Sequence, residues 1–111
     1  MHEMSITQNV VAIVSEHARD RKVTRVRLEI GALSAVIPDA VRFCFDVVSK
    51  GTVLEDATLE IIEVPGRARC RACGATVELK TLFTPCACGS RALDRTHGDE
   101  LNIKEMELEA A

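Results

Sequence analysis

Pro65-Gly66-Arg-Ala-Arg-Cys70-Arg-Ala-Cys73-Gly74 and, after eleven intervening residues, Cys86-Ala-Cys88-Gly89 decide how this chain is divided. The spacing Cys70-x-x-Cys73 lets two thiolates converge on one ion, and the glycine that follows permits the tight turn beneath it. Cys86-x-Cys88-Gly89 is a second turn of the same kind, with one intervening residue in place of two. Four sulfurs from two turns match tetrahedral Zn²⁺, and a site closed by four thiolates is structural rather than catalytic. The segment around them is poor in apolar residues, so metal binding would supply its folding energy. Should the shortened second turn fail to place both sulfurs, His97 is a substitute ligand. Two other readings stay open at this point: free or redox-active cysteine turns, and an iron–sulfur cluster, which also uses four thiolates but at other spacings.

Charge marks the same segment. The 111 residues carry 14 basic and 17 acidic side chains, a net charge of -3. From Arg67 to Arg95 there are six basic residues against Glu78 and Asp94, so this stretch is +4 and the remainder is -7. Two compositions in one short chain predict two structural units: 1–65 with 98–111, and an inserted 66–97.

Outside the insert, the periodicity is that of an α/β body. Apolar residues recur at Met4, Val11, Val14 and Ala18, beside Val10 and Ile13, at the spacing of an amphipathic helix running from about Glu3 to Arg19. From Arg25 to Ile30, Val26, Leu28 and Ile30 alternate with charged residues, which predicts a half-buried strand ended by Gly31. Pro38 suits the first turn of a second helix, with Val41, Cys44, Phe45 and Val48 on one side and a stop at Lys50-Gly51. Cys44 is thus read as a buried core thiol. Thr58–Val64 is β-rich and broken by Pro65-Gly66, and Leu101–Leu108 is again strand-like. The apolar positions of that last strand change parity between Ile103 and Met106, which predicts a bulge near Lys104-Glu105. Strand, helix, strand implies a parallel pair joined by a right-handed crossover. The expected fold class is therefore α+β: two helices packed on a small three-stranded mixed sheet, with an inserted zinc-ribbon-like four-cysteine domain.

The composition, 47% hydrophobic and 28% charged, is that of a folded protein and excludes disorder. With three Phe and no Trp or Tyr, aliphatic side chains carry the burial, and a base-stacking role is disfavoured. The start Met1-His2-Glu3-Met4-Ser5 has no basic region followed by an apolar run, and no stretch approaches the ~20 apolar residues of a membrane span. A cytoplasmic location and no membrane insertion are the expectation. That compartment is reducing, which favours metal-bound over disulfide-bonded cysteines.

The N-terminus offers a second kind of site. A terminal amine titrates at roughly 7.7–8, so it can yield its proton to a metal. The His2 imidazole can close a chelate with that amine and with the backbone nitrogens of residues 2 and 3. Such an all-nitrogen, near-planar set suits Ni²⁺ or Cu²⁺, not tetrahedral zinc. His17 is no co-ligand, because fifteen helical residues at 1.5 Å each put it ~22 Å from His2.

Met1-His2-Glu3-Met4-Ser5, Ile30-Gly31-Ala-Leu-Ser34, the paired cysteine turns with Gly89-Ser90, and Gly98-Asp-Glu100-Leu101-x-Ile103-Lys-Glu-Met106-Glu occur together here. In that combination the chain closely resembles the hydrogenase nickel-incorporation proteins of the HypA/HybF family, over essentially its whole length. The resemblance implies a metallochaperone and not an enzyme, one that delivers Ni²⁺ to the large subunit of [NiFe]-hydrogenase with the GTPase accessory protein HypB. It maps the family's Met-His-Glu start onto Met1 (terminal amine), His2 (nickel ligand) and Glu3 (backbone nitrogen or a position behind the ligands). It maps the zinc ligands onto Cys70, Cys73, Cys86 and Cys88. The family's usual second turn reads Cys-Pro-x-Cys, whereas here Pro85 precedes Cys86. Some relatives also serve urease maturation.

The rival from another class is a small zinc-ribbon nucleic-acid-binding or regulatory protein, supported by the +4 segment and opposed by the overall acidity and the missing aromatics. A disulfide oxidoreductase is the enzymatic alternative. No nucleophile–base pair, phosphate loop or carboxylate pair is identifiable for other catalysis. Exposed strand edges in so small a sheet make a homodimer a further expectation.

Overall fold

The first helix, α1, spans His2–Ala18 and turns off where Arg19 and Asp20 take positive φ. It feeds β1, Val23–Gly31, whose Val26, Leu28 and Ile30 are buried as their alternation requires. In the computed structural model, residues 2–110 are described, with side chains from residue 3. The second helix, α2, covers Pro38–Val48, and β2 covers Thr58–Val64. β2 lies parallel to β1, so the helix between them is the expected crossover. The last strand, β6 at Leu101–Leu108, runs antiparallel on the other side of β1. The sheet order is β2-β1-β6, the three-stranded mixed sheet read from the sequence.

One core holds this body together. Val10, Val11, Val14 and Ala18 of α1 meet Val41 and Phe45 of α2 over Val23, Val26, Leu28 and Ile30. Cys44 is buried beside them on α2, as a core thiol should be. Leu54 completes the core from the loop after α2 and is fully buried, a plug that no periodicity announced. Ile13 departs from the helical pattern and stands 46% exposed.

The outer face of the same sheet is ionic. Arg25 and Arg27 of β1 reach Glu60 on β2, while on β6 Arg27 pairs with Glu105 at 2.6 Å and Arg25 with Glu107. Glu107 and its neighbours hold the Arg25 guanidinium above its usual range, first by the hydrogen bond and then by charge. Pairs this open contribute little individually, about 0.2–1 kcal/mol each. The register along β6 slips where Arg27 faces Glu105 but Leu28 faces Ile103, leaving Lys104 as the extra residue. This is the bulge that the change of parity predicts.

Between β2 and β6 the chain makes a second, antiparallel sheet: β3 at Gly66–Cys70, β4 at Thr76–Leu79 and β5 at Leu93–His97, in the order β4-β3-β5. Its entrance and exit cross the end of β1 at three glycines. A Cβ on Gly31 would stand 2.0 Å from the Gly98 carbonyl oxygen, and one on Gly98 would stand 3.0 Å from the Gly66 Cα. Leu33 closes the crossing: its N–H donates to the Gly98 carbonyl at 2.8 Å, and its side chain lies against Gly66 and Gly98. Gly98 has φ +121, which only glycine tolerates readily. The Glu100 carboxylate accepts the Gly98 N–H at 2.6 Å.

Candidate metal centre

The two cysteine turns have the same construction. In the first, the Gly74 N–H donates to the Cys70 carbonyl and the Cys70 N–H to the Ala75 carbonyl, both at 2.9 Å. In the second, the Gly89 N–H donates to the Cys86 carbonyl at 2.9 Å and the Cys86 N–H to the Ser90 carbonyl at 3.0 Å. Gly74 and Gly89 both have positive φ, at 76 and 91, which explains a glycine after each cysteine pair. A bond from the Arg71 N–H to the Ala92 carbonyl, together with the Arg71–Asp94 ion pair, ties the strand after the second turn to the first.

This arrangement brings all four sulfurs within 4.8 Å of one another. The Cys70 and Cys88 Sγ atoms are 3.7 Å apart, and those of Cys73 and Cys86 are 3.6 Å apart. Tetrahedral zinc with Zn–S bonds of about 2.3 Å requires sulfur separations of about 3.8 Å. The donor set therefore fits zinc, and the one-residue spacing of Cys86-x-Cys88 does not keep either sulfur away. Cys70 and Cys86 are buried, and Cys73 and Cys88 face outward, one of each from each turn.

The protonation chemistry agrees. The Cys70 thiol is drawn down to about 6, chiefly by the Cys73 backbone N–H, with the Ala72 N–H adding to it against burial. For Cys86 the largest single influence, the Cys88 N–H, pulls downward, but burial and the crowding of the Cys88, Cys73 and Cys70 thiols together push it up to about 12. Four like groups this close give up protons in widely separated steps unless a cation shares their charge.

His97 is not part of the group. It pairs with Arg67 at the far end of β5 and lies with its Nδ1 3.1 Å from the Thr96 hydroxyl. Cys44 is likewise outside the group, on α2 in the body. At the N-terminus, Met1 and the His2 imidazole lie outside the described residues, while the His2 backbone opens α1. Glu3 has a contact that sequence reasoning missed. Its carboxylate accepts the Ile37 backbone N–H at 3.2 Å. Ile37 is the N-cap of α2 and makes no side-chain cap hydrogen bond, so a carboxylate from α1 takes up its N–H and lies at the positive end of the helix.

Such a body, carrying a closed four-thiolate centre on an inserted sheet, defines a small metal-binding protein. Comparison with known proteins places it more narrowly. The family model described as "Hydrogenase/urease nickel incorporation, metallochaperone, hypA" matches residues 1–108. The hydrogenase maturation factor HypA of Nostoc punctiforme is 62% identical, over 98% of this chain and 96% of its own length. That of a Geobacter species is 53% identical, over 98% of this chain and all of its own. Among solved structures, the solution structure of the Ni metallochaperone HypA from Helicobacter pylori matches with a TM-score of 0.69 at 25% identity, covering 98% of each chain. A second solution structure of a HypA protein matches with a TM-score of 0.75 at 27% identity, covering all of this chain and 98% of that one. The chain belongs to the HypA family of nickel-incorporation metallochaperones. Members of that family are maturation factors, carriers of nickel and not enzymes, and the sequence-based expectation of that class is met.

Proposed function

We propose that this protein carries Ni²⁺ as cargo on its N-terminus, through the Met1 amine, the His2 imidazole and the backbone nitrogens of His2 and Glu3, and hands it on during maturation of [NiFe]-hydrogenase. The single observation that carries the reading is the family match, which runs from residue 1 and so takes in Met1-His2-Glu3. Glu3 acts behind the ligands: its carboxylate is engaged with Ile37, which supports a role in seating the first turn of α1. An amine that reprotonates near neutral pH suits release as well as capture. The closed thiolate set of Cys70, Cys73, Cys86 and Cys88 suits the opposite task, permanent retention of zinc and organisation of the unit 66–97 on the body formed by 1–65 and 98–111.

The partners of this reading are the GTPase accessory protein HypB, the hydrogenase large subunit and a second copy of the chain, in the cytoplasm. Among the described residues no helix is long and apolar enough to cross a membrane. The test is a nickel titration of the zinc-loaded protein, of a His2→Ala variant and of protein with a blocked terminal amine. The variant and the blocked protein are expected to lose nickel affinity while keeping zinc. Unchanged affinity in either overturns the ligand assignment.

A further inference from the structure

The unit 66–97 is the basic part of an acidic chain, and two of its large apolar side chains stand in solvent. Leu82 is 55% and Phe83 79% exposed. The turn that presents them is hydrogen-bonded throughout. The Phe83 N–H donates to the Thr81 hydroxyl and the Thr81 N–H to the Thr84 hydroxyl, both at 3.1 Å. The Thr84 N–H donates to the Thr81 carbonyl at 3.4 Å. These bonds fix the backbone with Leu82 and Phe83 at its tip, between the two cysteine turns.

Beside that tip lies a groove of about 610 Å³. Leu82 and Phe83 form one wall, Ala68 and Leu79 line it from β3 and β4, and Leu93 and Arg95 line it from β5. Arg91, just beyond the second cysteine turn, stands at it as well. The acidic side chain on the groove, Asp94, is taken by Arg71 at 2.6 Å, and that bond holds its carboxyl below the ordinary range. Arg95 shares its charge with Asp99 at 2.9 Å, and among the described residues no ion pair engages Arg91. The groove is therefore apolar within and positive at its edge, in a chain whose remainder carries -7.

We propose that this groove binds an acidic peptide segment of a partner protein, one with bulky apolar side chains set among its carboxylates. The apolar side chains lie against Leu82, Phe83 and Leu79, which takes the exposed apolar surface out of water. The carboxylates meet Arg91 and Arg95, whose guanidinium groups suit planar acceptors with two oxygens. The rest of the chain repels the same segment, so long-range attraction steers it to this unit. A nucleic-acid strand, the other polyanion, fits less well. Arg67 and Arg69 alternate with Ala68 along β3 and stand on the opposite face, which divides the basic charge between two faces. Phe83 alone among the lining residues is aromatic, which gives bases little to stack on. The groove includes neither the N-terminal residues nor any of the four cysteines, and the proposal stands or falls separately from the nickel reading.

Fluorescence anisotropy of a labelled peptide, Glu-Glu-Leu-Glu-Glu-Phe-Glu-Glu, titrated with full-length zinc-loaded protein, tests it. The wild type is expected to bind, more weakly as salt is raised. Phe83→Ser and Arg91→Glu change exposed side chains outside the metal set, and each is expected to weaken binding about tenfold. A second peptide with serine at both apolar positions is expected to lose affinity to a similar extent. Failure of the wild type to bind overturns the proposal. So does binding indifferent to Phe83→Ser or to Arg91→Glu, or a serine peptide that binds as tightly as the first. A single-stranded oligonucleotide that outcompetes the peptide and is itself weakened by both substitutions gives the groove to nucleic acid, and overturns the proposal too. Zinc content and circular dichroism of each variant show that the fold is kept.

Discussion

The sheet of the body and the sheet that carries the cysteines each have three strands, but they are held together by different means. The body sheet lies under two helices and shares a core of eleven buried hydrophobic residues. Among the described residues no helix covers the other sheet. Its buried hydrophobic residues are Ala68, Leu79 and two of the cysteines themselves, Cys70 and Cys86, while Leu82 and Phe83 nearby stand 55% and 79% exposed. Burial of aliphatic surface suffices for the first, and the second needs the ion its thiolates can share. In so small a chain the lesson is that a metal can replace a core where there is too little sequence to build two.

The sharpest way to break that contrast is to remove zinc with a strong chelator and follow amide hydrogen exchange. Residues 66–97 are expected to lose protection entirely, while the core strands and helices of the body keep theirs, because structural zinc supplies on the order of 10 kcal/mol to such a unit. Cooperative loss of both units would show that the cores are not separate. Next in size, Leu54→Ala should destabilise the body by about 2–5 kcal/mol through the cavity it leaves, with the zinc content unchanged. Denaturant unfolding and metal analysis of the same sample check both halves of that statement.

The smallest effect lies at the join. Burial acts to raise the Glu100 carboxyl, but the Gly98 and Glu100 N–H groups and nearby His97 outweigh it, leaving the carboxyl below its ordinary range. A carboxyl depressed in the folded state stabilises above its unfolded value of about 4.3 and loses that contribution as pH falls through the folded value. Glu100→Gln should therefore be slightly less stable than wild type across pH 5–8, with the deficit fading only below that window. A deficit already absent at pH 6 would remove Glu100 from the account.

Much of the body was legible because its elements repeat at periods that only burial explains. Val26, Leu28 and Ile30 mark a strand, and Val10, Val14 and Ala18 a helix face. The shift of parity in β6 announced the bulge at Lys104. The cysteine spacing located the candidate zinc site down to its four sulfurs, including the turn with one residue fewer. What escaped was held by other forces. β3 is Gly-Arg-Ala-Arg-Cys, small and charged residues in alternation, and its strand form comes from pairing and from the sulfur cluster rather than from apolar area. Leu54 is a single apolar residue in a loop, with no period to betray it. The bond from Glu3 to Ile37 spans 34 positions and joins a side chain to a backbone group, which no local pattern encodes.

The three-glycine crossing also accounts for Gly31-Ala-Leu-Ser34, whose role no periodicity suggests. Gly31 admits the Gly98 backbone, Leu33 caps the crossing, and the Ser34 hydroxyl turns the chain back by donating to the Gly31 carbonyl at 2.7 Å. From there only a short run of chain reaches Ile37, where Glu3 of the N-terminal turn is attached. The segment from Gly31 to Ile37 thus works as a tie-rod, anchored at one end to the seam between the units and at the other to the start of α1. The contacts along it, Gly31 on Gly98, the Leu33 N–H on the Gly98 carbonyl and the Ile37 N–H on the Glu3 carboxylate, each involve the main chain, so the seam and the start of α1 are joined through one continuous stretch of backbone.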